Sequence, residues 1–209
     1  MRTVQKTTIT DVIELSTLLG EFGQIKRVTL LPNGEQEPDS HHSFSLALIA
    51  YELACQYAPE LNPSQVLLYG LVHDLPELVT GDVVTLTATT EELDKKADED
   101  ALAIAETEQK FAAAPNIVVY EAKSNDEALF VYWIDKMITI PTHFYDNGTN
   151  LHKLGIKNQQ DIRQWYERTL TKLHKQTRKP HDSAVSILEL AYTKMHDELL
   201  ETNNSTLTK

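Results

Sequence analysis

The chain has 209 residues, a formal net charge of −12 and 41% hydrophobic residues, so it can bury a substantial core as one domain. The acidic balance argues against a nucleic-acid polymer as partner, because binding to phosphate backbones depends on Lys and Arg, but it does not exclude a single nucleotide. We find no signal-peptide pattern and no apolar run of membrane length, and the single cysteine, Cys55, cannot form an internal disulfide. These features predict a cytoplasmic protein with no membrane contact.

The first predicted elements are two helices. Residues 8–22 form an amphipathic pattern. The second helix is DSHHSFSLALIAYELACQYAP, in which Asp39 or Ser40 is the predicted N-cap and Pro59 the stop signal. Its predicted core face consists of Phe44, Ala47, Leu48, Tyr51, Cys55 and Ala58. This face leaves His42 in the first turn, at the edge of the core.

A buried central helix is predicted over residues 63–82, PSQVLLYGLVHDLPELVTGD. Asn62 precedes a proline, which is typical of an N-cap followed by the first helical position. The apolar run leads directly into His73 and Asp74, and a charged group carried toward a core has to be paired or bound to a metal. Glu77 would share the helix face of this pair, where a carboxylate that handles protons would be placed.

The remaining sequence is predicted to be helical, apart from a loop over residues 81–88. A helix begins at Ser124, which forms a capping box with Glu127, and continues through an apolar stretch that contains Asp135. Asp135 is therefore predicted to face inward and to need a cation, and adjacent Lys136 is an alternative partner. Further helices are predicted over residues 90–114, 161–177 and 183–200, followed by a frayed polar tail over residues 201–209.

These elements predict an all-α fold, a single-domain orthogonal helical bundle over residues 1–200. Residues 151–180 contain eight Lys or Arg against two acids. We interpret most of these basic side chains as a solvated helix face, with a minority near the approach of a phosphorylated substrate. A second His-Asp pair, His181 and Asp182, follows Lys-Pro and is interpreted as a helix start.

One histidine, a His-Asp pair and a distant aspartate together offer a metal site built from three helices. Imidazole and carboxylate are the ligand types that suit a catalytic divalent metal. The four residues are His42, His73, Asp74 and Asp135. With eight histidines and 31 acidic residues in the chain, such spacings also arise by chance, so the surrounding motifs have to support the site.

The motifs SHHSFSLA, VHDLPELVTGD and YWIDKM resemble those of the HD-domain metal-dependent phosphohydrolases, most closely the small 5'-deoxynucleotidases of the YfbR type, over residues 21–140. The resemblance implies one divalent ion (Mn, Co, Mg, Zn, Ni or Fe) held by His42, His73, Asp74 and Asp135. It also implies a catalytic role for Glu77, phosphate binding by Arg27, and a contact of Asp82 with the sugar 3'-hydroxyl. The implied substrate is a small nucleotide, and a homodimer is left open.

Three departures from the family pattern affect these expectations. Val28 stands where the family has a tryptophan that packs on the nucleoside, so base recognition does not carry over. Pro76 removes a backbone donor before Glu77, and a kink there would redirect that carboxylate. His41 precedes His42, which we prefer as the ligand because its flanking residues match the family. No histidine lies between residues 73 and 135, where relatives with a second metal insert them, so we predict a single ion.

The predicted reaction is hydrolysis of a 5'-(deoxy)nucleoside monophosphate to nucleoside and phosphate. In this hypothesis the metal and Arg27 stabilise the transition state, and Glu77 or Asp74 positions or deprotonates the attacking water. One alternative is a deoxynucleoside triphosphate triphosphohydrolase of the same superfamily, which would release tripolyphosphate. The other is a non-catalytic binding protein in which the metal only joins the helices.

Overall fold

The computed structural model describes most of the chain as helices with one small sheet. The described residues are 9–82, 99, 101–107, 111–142, 149–156, 158–175, 189–190, 192–194, 196–198 and 201. Most of the predicted loop over residues 81–88, much of the predicted helices over 90–114 and 183–200, the second His-Asp pair and residues 202–209 of the predicted tail lie outside the described residues. No described helix is both long enough and apolar enough to cross a membrane.

Helices make up nearly all of the regular structure. They are α1 (Ile9–Phe22), α2 (Asp39–Tyr57), α3 (Pro63–Val72), α4 (Glu77–Thr80), α5 (Ala114–Glu121), α6 (Asp126–Thr142), α7 (Thr149–Lys153) and α8 (Gln159–His174). Residues 101–107 are also helical. Strands β1 (Lys26–Leu30) and β2 (Gln36–Pro38) pair antiparallel between α1 and α2. The helical fold class is confirmed, whereas this small sheet was not predicted.

The core lies where α2, α3 and α6 pack against one another. Leu46, Tyr69, Phe130, Trp133 and Ile134 are each at most 2% exposed and belong to one hydrophobic cluster. Full burial of a large apolar side chain stabilises a fold by about 1.5–3 kcal/mol. This cluster therefore fixes the relative positions of the three helices that carry the predicted metal ligands.

The closest approach between α2 and α3 occurs at a glycine. A Cβ added to Gly70 would lie 2.6 Å from the Cα and 2.9 Å from the backbone N of Ala47. Ordinary contacts of a Cβ lie at 3.4–4 Å, so no larger residue fits here without separating the helices. Gly70 thus permits the spacing at which His42 and His73 face each other, with their ring centroids 5.5 Å apart.

The predicted core face of α2 was only partly right: Ala47 and Ala58 are buried, but other members of this face are not. Phe44 and Leu48 are 57% and 45% exposed, and Cys55 is exposed as well. The face that packs inward consists of Asp39, His42, Ser43, Leu46, Ala47, Ala50 and Ala54. Small and polar residues occupy this face because α3 approaches too closely for large side chains and because the site residues point the same way.

Helix ends confirm one predicted cap and correct two. The Asn62 side chain accepts hydrogen bonds from the backbone amides of residues 64 and 65, as predicted. Pro38 is the residue that precedes α2, so Asp39 is the first helical residue rather than a cap. The predicted capping box at Ser124 is replaced by Asn125, whose Oδ1 accepts from the Ala128 amide at 2.8 Å.

The predicted continuous helix over residues 63–82 is broken after Val72. His73 caps α3, a turn follows, and the short helix α4 begins after Pro76. Proline supplies no backbone donor, and the Glu77 amide donates to the Asp74 carbonyl in a tight turn at 2.9 Å. His73 and Glu77 therefore do not share a face of one helix, which corrects the prediction. The break that was considered at Pro76 is present.

A hairpin between α1 and α2 brings polar side chains against α2. Its turn is closed by the Leu31 amide, which donates to the Glu35 carbonyl at 2.8 Å, and Gly34 adopts a φ of 84°. Arg27 and Thr29 lie on β1, whose pairing with β2 is irregular between Lys26 and Leu30, and Arg27 reaches Asp39 of α2 at 3.3 Å. From β2, Glu37 accepts a hydrogen bond from the Thr29 hydroxyl at 2.7 Å. The hairpin therefore presents Arg27 and Glu37 on the side that faces α2.

The amphipathic pattern predicted over residues 161–177 is confirmed in α8. This helix begins two residues and ends three residues earlier than predicted. Trp165 and Leu173 are buried, whereas Arg168 and Lys172 are exposed. The basic residues of α8 thus form the predicted solvated face.

Candidate metal centre

Four predicted ligands from α2, the end of α3 and α6 meet in one place. His42 Nε2 lies 3.0 Å from Asp135 Oδ1, and His73 Nε2 lies 3.0 Å from Asp74 Oδ2. The crossed distances are 4.0 Å from His42 Nε2 to Asp74 Oδ2 and 3.9 Å from His73 Nε2 to Asp135 Oδ1. His42, His73 and Asp135 are each at most 4% exposed. His41, by contrast, is exposed on the outer side of the helix.

The two separations of 3.0 Å fit neighbouring ligands around one ion, whereas the crossed separations of 3.9 and 4.0 Å are wider. Two atoms that each lie about 2.1 Å from a metal are about 3.0–3.4 Å apart at right or tetrahedral angles. His73 Nδ1 is 3.0 Å from the Gly70 carbonyl oxygen, which fixes the proton on that nitrogen. Its Nε2 is buried and has no hydrogen-bond partner of good geometry among the described residues. A buried, unsatisfied nitrogen that faces two carboxylates is suited to a divalent cation.

Asp135 divides its two oxygens between different partners. Oδ1 faces the histidines, and Oδ2 lies 2.6 Å from the ammonium of Lys136, the alternative partner considered from the sequence. Burial disfavours the charged form, but Lys136 and the histidines outweigh it and hold the pKa of Asp135 well below its ordinary value. Asp135 is therefore ionised at neutral pH, as a metal ligand has to be.

Arg27 reaches the site from β1. Its Nη1 lies 2.9 Å from Asp74 Oδ2 and 3.3 Å from Asp39 Oδ1. Burial opposes the charge of the guanidinium, yet the surrounding carboxylates, Asp74 foremost, raise its pKa further above the ordinary value. Its Nε is buried without a hydrogen-bond partner among the described residues, so a donor of this side chain is available to an anion.

A second group of carboxylates lies beside the first. Asp39, Asp74 and Glu77 each offer an oxygen within 4.8 Å of the others. Asp39 is fully buried, and one oxygen each of Asp39 and Glu77 has no hydrogen-bond partner in the described part of the chain. Burial, together with the charge of Asp74 and a hydrogen bond to Asp39, raises the pKa of Glu77 to about 11. A neutral Glu77 can donate a proton to an oxygen beside it.

The other predicted residues lie around this group. Asp82 is half-buried, and its charge contributes to the raised pKa values of both Arg27 and Glu77, which indicates that it lies near them. Val28 is half-buried on β1, and its carbonyl oxygen accepts a hydrogen bond from the Asn150 amide group. The structure thus brings every predicted site residue to the region between the hairpin and α2, α3, α4 and α6.

A model of the family described as HD domain matches residues 19–178, about three quarters of the chain. The chain belongs to the HD domain family. The match covers all three motifs from which the resemblance was recognised, and it includes each residue of the candidate centre. The predicted ligands of the metal site therefore lie within the matched part of the chain.

Curated relatives of this HD domain are named 5'-deoxynucleotidase. A protein from Pasteurella multocida is 30% identical over 103 residues, covering 44% of this chain and 53% of the relative. One from Erwinia tasmaniensis is 35% identical over 71 residues, 32% of this chain and 36% of the relative. One from Vibrio atlanticus is 34% identical over 71 residues, covering 32% of this chain and 37% of the relative. The matched part of the chain thus spans about half the length of these relatives or less.

The fold of the HD domain also matches a solved structure. A crystal structure described as a predicted metal-dependent phosphohydrolase from Magnetospirillum magnetotacticum aligns with a TM-score of 0.72 and covers 97% of both chains. Sequence identity is 18%, so this likeness supports the fold alone.

Two residues of the site were missed by sequence reasoning. Asp39 was interpreted as a helix cap, because an aspartate before an apolar helix is typical of one. Glu37 was not considered, because it lies in a polar segment for which no element was predicted. Both are buried acids, at 0% and 4% exposure, and their burial depends on the unpredicted hairpin.

Proposed function

We propose that this HD domain is a metal-dependent phosphohydrolase that hydrolyses 5'-deoxynucleoside monophosphates to nucleoside and phosphate. The single observation that supports it most is the convergence of two histidines and two carboxylates beside a largely buried arginine, with Nε2 of each histidine within 4.0 Å of both carboxylates. The names of the curated relatives support the substrate class. The proposed ligands are His42, His73, Asp74 and Asp135.

The ligand set suits a divalent cation of the Mn, Co, Mg, Zn, Ni or Fe type, because it combines neutral imidazoles with hard carboxylate oxygens. Such a cation, when bound, would lower the pKa of a water and polarise a phosphoryl oxygen. Asp74 and Asp135 balance its charge. His73 is held in orientation through Nδ1 by the Gly70 carbonyl, so its Nε2 stays directed at the centre.

Arg27 is the proposed phosphate-binding residue. A planar guanidinium matches the geometry of phosphate oxygens, and its buried Nε is still available as a donor. Its contact with Asp74 places the guanidinium next to a ligand of the proposed ion. A phosphate held by Arg27 would therefore lie against the centre, where the positive charge stabilises a pentavalent transition state.

Glu77 is the proposed proton-transfer residue. Its raised pKa means that it holds a proton at neutral pH, and it offers an oxygen within 4.8 Å of oxygens of Asp39 and Asp74. A cation nearby lowers the pKa of a carboxyl group, so the same residue can also accept a proton from an attacking water. Asp82 is the proposed acceptor for the sugar 3'-hydroxyl, and Val28 leaves the recognition of the base to other residues.

The test is a product assay on protein stripped of metal and reloaded separately with each cation. The panel consists of ribo- and deoxynucleoside 5'-monophosphates and the deoxynucleoside triphosphates. We expect orthophosphate from deoxynucleoside monophosphates, none from Asp135→Ala and undiminished release from His41→Ala, which alters the exposed neighbouring histidine. Release of tripolyphosphate from deoxynucleoside triphosphates would instead assign the triphosphohydrolase activity. The absence of any product with every cation would support a non-catalytic metal protein.

A further inference from the structure

We infer that Glu37 is a positioning residue that keeps the proton of His42 on Nδ1 and so leaves Nε2 free for the metal. The inference rests on the proposed metal site and adds a residue to it. It starts from a contrast between the two histidines. His73 has a carbonyl acceptor for Nδ1 at 3.0 Å, whereas the acidic group nearest to His42 Nδ1 is Glu37, whose Oε2 lies at 3.9 Å.

Histidines that bind metals almost always direct their second nitrogen at a carboxylate, a carbonyl or a water, which fixes the tautomer and the ring orientation. Gly70 fulfils this role for His73 through its backbone. The contact from Glu37 to His42 is about 1 Å longer than a hydrogen bond. At this separation in a buried site, the negative charge still favours a proton on the nitrogen that faces it.

The burial of Glu37 needs an explanation that the fold alone does not supply. Its side chain is 5% exposed, and the hydrogen bond that it accepts comes from the neutral hydroxyl of Thr29. A buried carboxylate is costly unless charged or polar donors compensate for its lost hydration. One neutral hydroxyl compensates only in part, so the proximity of His42 gives the charge of Glu37 a second partner.

The hairpin determines where this charge lies. Thr29 on β1 bonds the same oxygen, Oε2, that faces His42, and it therefore holds the carboxylate in place. The turn at residues 31–35 brings the two strands together. Glu35, in that turn, is exposed and bonded to Asn33, so the hairpin carries one buried and one exposed glutamate two residues apart.

Two carboxylates compete for the proton of His42. Asp135 Oδ1, at 3.0 Å from Nε2, draws the proton to the nitrogen that has to be unprotonated to bind a cation. Glu37, on the opposite side of the ring, draws it to Nδ1. Glu37 therefore lies beside the nitrogen that keeps its proton when Nε2 binds a cation.

The experiment measures Co²⁺ binding to the purified full chain by competition with a chelator, together with the visible absorption of bound Co²⁺, which responds to ligand geometry. Substitution of a residue that orients a metal ligand costs about 10–100-fold in metal affinity. We expect Glu37→Ala to raise the Kd for Co²⁺ by about this factor and to alter the absorption bands. Glu37→Gln, which keeps the shape and a weaker acceptor, should give an intermediate Kd. Glu35→Gln is the matched control and should bind as wild type does.

The absorption bands separate positioning from a purely structural role, because a variant that only unfolds more easily binds Co²⁺ with the wild-type spectrum. If Glu37→Ala does not fold, the Kd and the absorption spectrum of Glu37→Gln test the role of Glu37. Wild-type Kd and spectrum in a folded Glu37 variant would overturn the role of Glu37 and leave the metal site in place. Wild-type protein that binds no Co²⁺ would overturn the metal site itself.

Discussion

Replacing Gly70 with alanine should separate the two helices that carry the histidines. The added Cβ would meet the Cα of Ala47 at 2.6 Å and its backbone N at 2.9 Å, about 1 Å closer than ordinary contacts allow. Neither atom belongs to a side chain that can rotate away. The backbone of α3 would therefore have to move, and it would carry His73 with it.

General values bound the loss in free energy of unfolding that Gly70→Ala should cause. Overpacking of a tight core destabilises by about 1–3 kcal/mol, and a backbone clash belongs at the upper end. Alanine gains about 1 kcal/mol over glycine in a helix interior. We therefore expect Gly70→Ala to lower the free energy of unfolding by about 2 kcal/mol. A displacement of about 1 Å at a catalytic group costs about 10²-fold in rate, so kcat/KM should fall by a similar factor.

The assay is urea unfolding of the metal-free proteins, combined with Co²⁺ affinity and turnover of the loaded ones. Gly20→Ala is the matched control, because Gly20 lies within α1 and its added Cβ would have nothing within 4 Å. This control should be about 0.5–1 kcal/mol more stable than wild type. If Gly70→Ala were as stable as the control and bound Co²⁺ normally, the close packing of α2 and α3 could not determine the site geometry.

The remaining predictions concern the proposed site itself. Alanine substitution of any one ligand should abolish bound metal, measured on folded protein by elemental analysis, and full retention in Asp135→Ala would exclude the proposed fourth ligand. The ligands are His42, His73, Asp74 and Asp135. Glu77→Ala should keep its metal but lose about 10²-fold or more in kcat, because it transfers protons without binding the ion, and an unchanged kcat would discard that role. A 2',3'-dideoxynucleotide should be a poorer substrate than its 2'-deoxy counterpart, because an unpaired acceptor at Asp82 costs about 1–3 kcal/mol, and equal kcat/KM would remove Asp82 from the site.

The sequence was informative where local rules act alone. The Asn62 cap follows from the capping residue and its proline, and α1 and α8 follow from helical periodicity. Helix α1 ends at Phe22 as predicted, and the ends of α8 differ by two or three residues. The clustering of the predicted site residues was also foreseen, because acids and histidines inside apolar runs have few physical explanations. Ligation itself stays a prediction, since it depends on an ion.

Tertiary packing determined what the sequence could not predict. Helix α2 has two apolar stripes, and the larger one, with Phe44 and Leu48, is exposed. The stripe that packs inward is selected by the close approach at Gly70, a contact between residues far apart in the chain. The hairpin was missed because its short strands consist largely of charged and polar residues, which give no apolar alternation to detect.

The arrangement of the ligands ties the stability of the fold to the supply of metal. His42 and Asp135 are 93 residues apart in the chain yet adjacent in space, so an ion bound between them would act as a reversible cross-link between α2 and α6. An ion at 100 times its Kd adds about 2.7 kcal/mol to the stability of the state that binds it. Metal scarcity in a cell would then reduce the amount of folded protein as well as its catalytic rate.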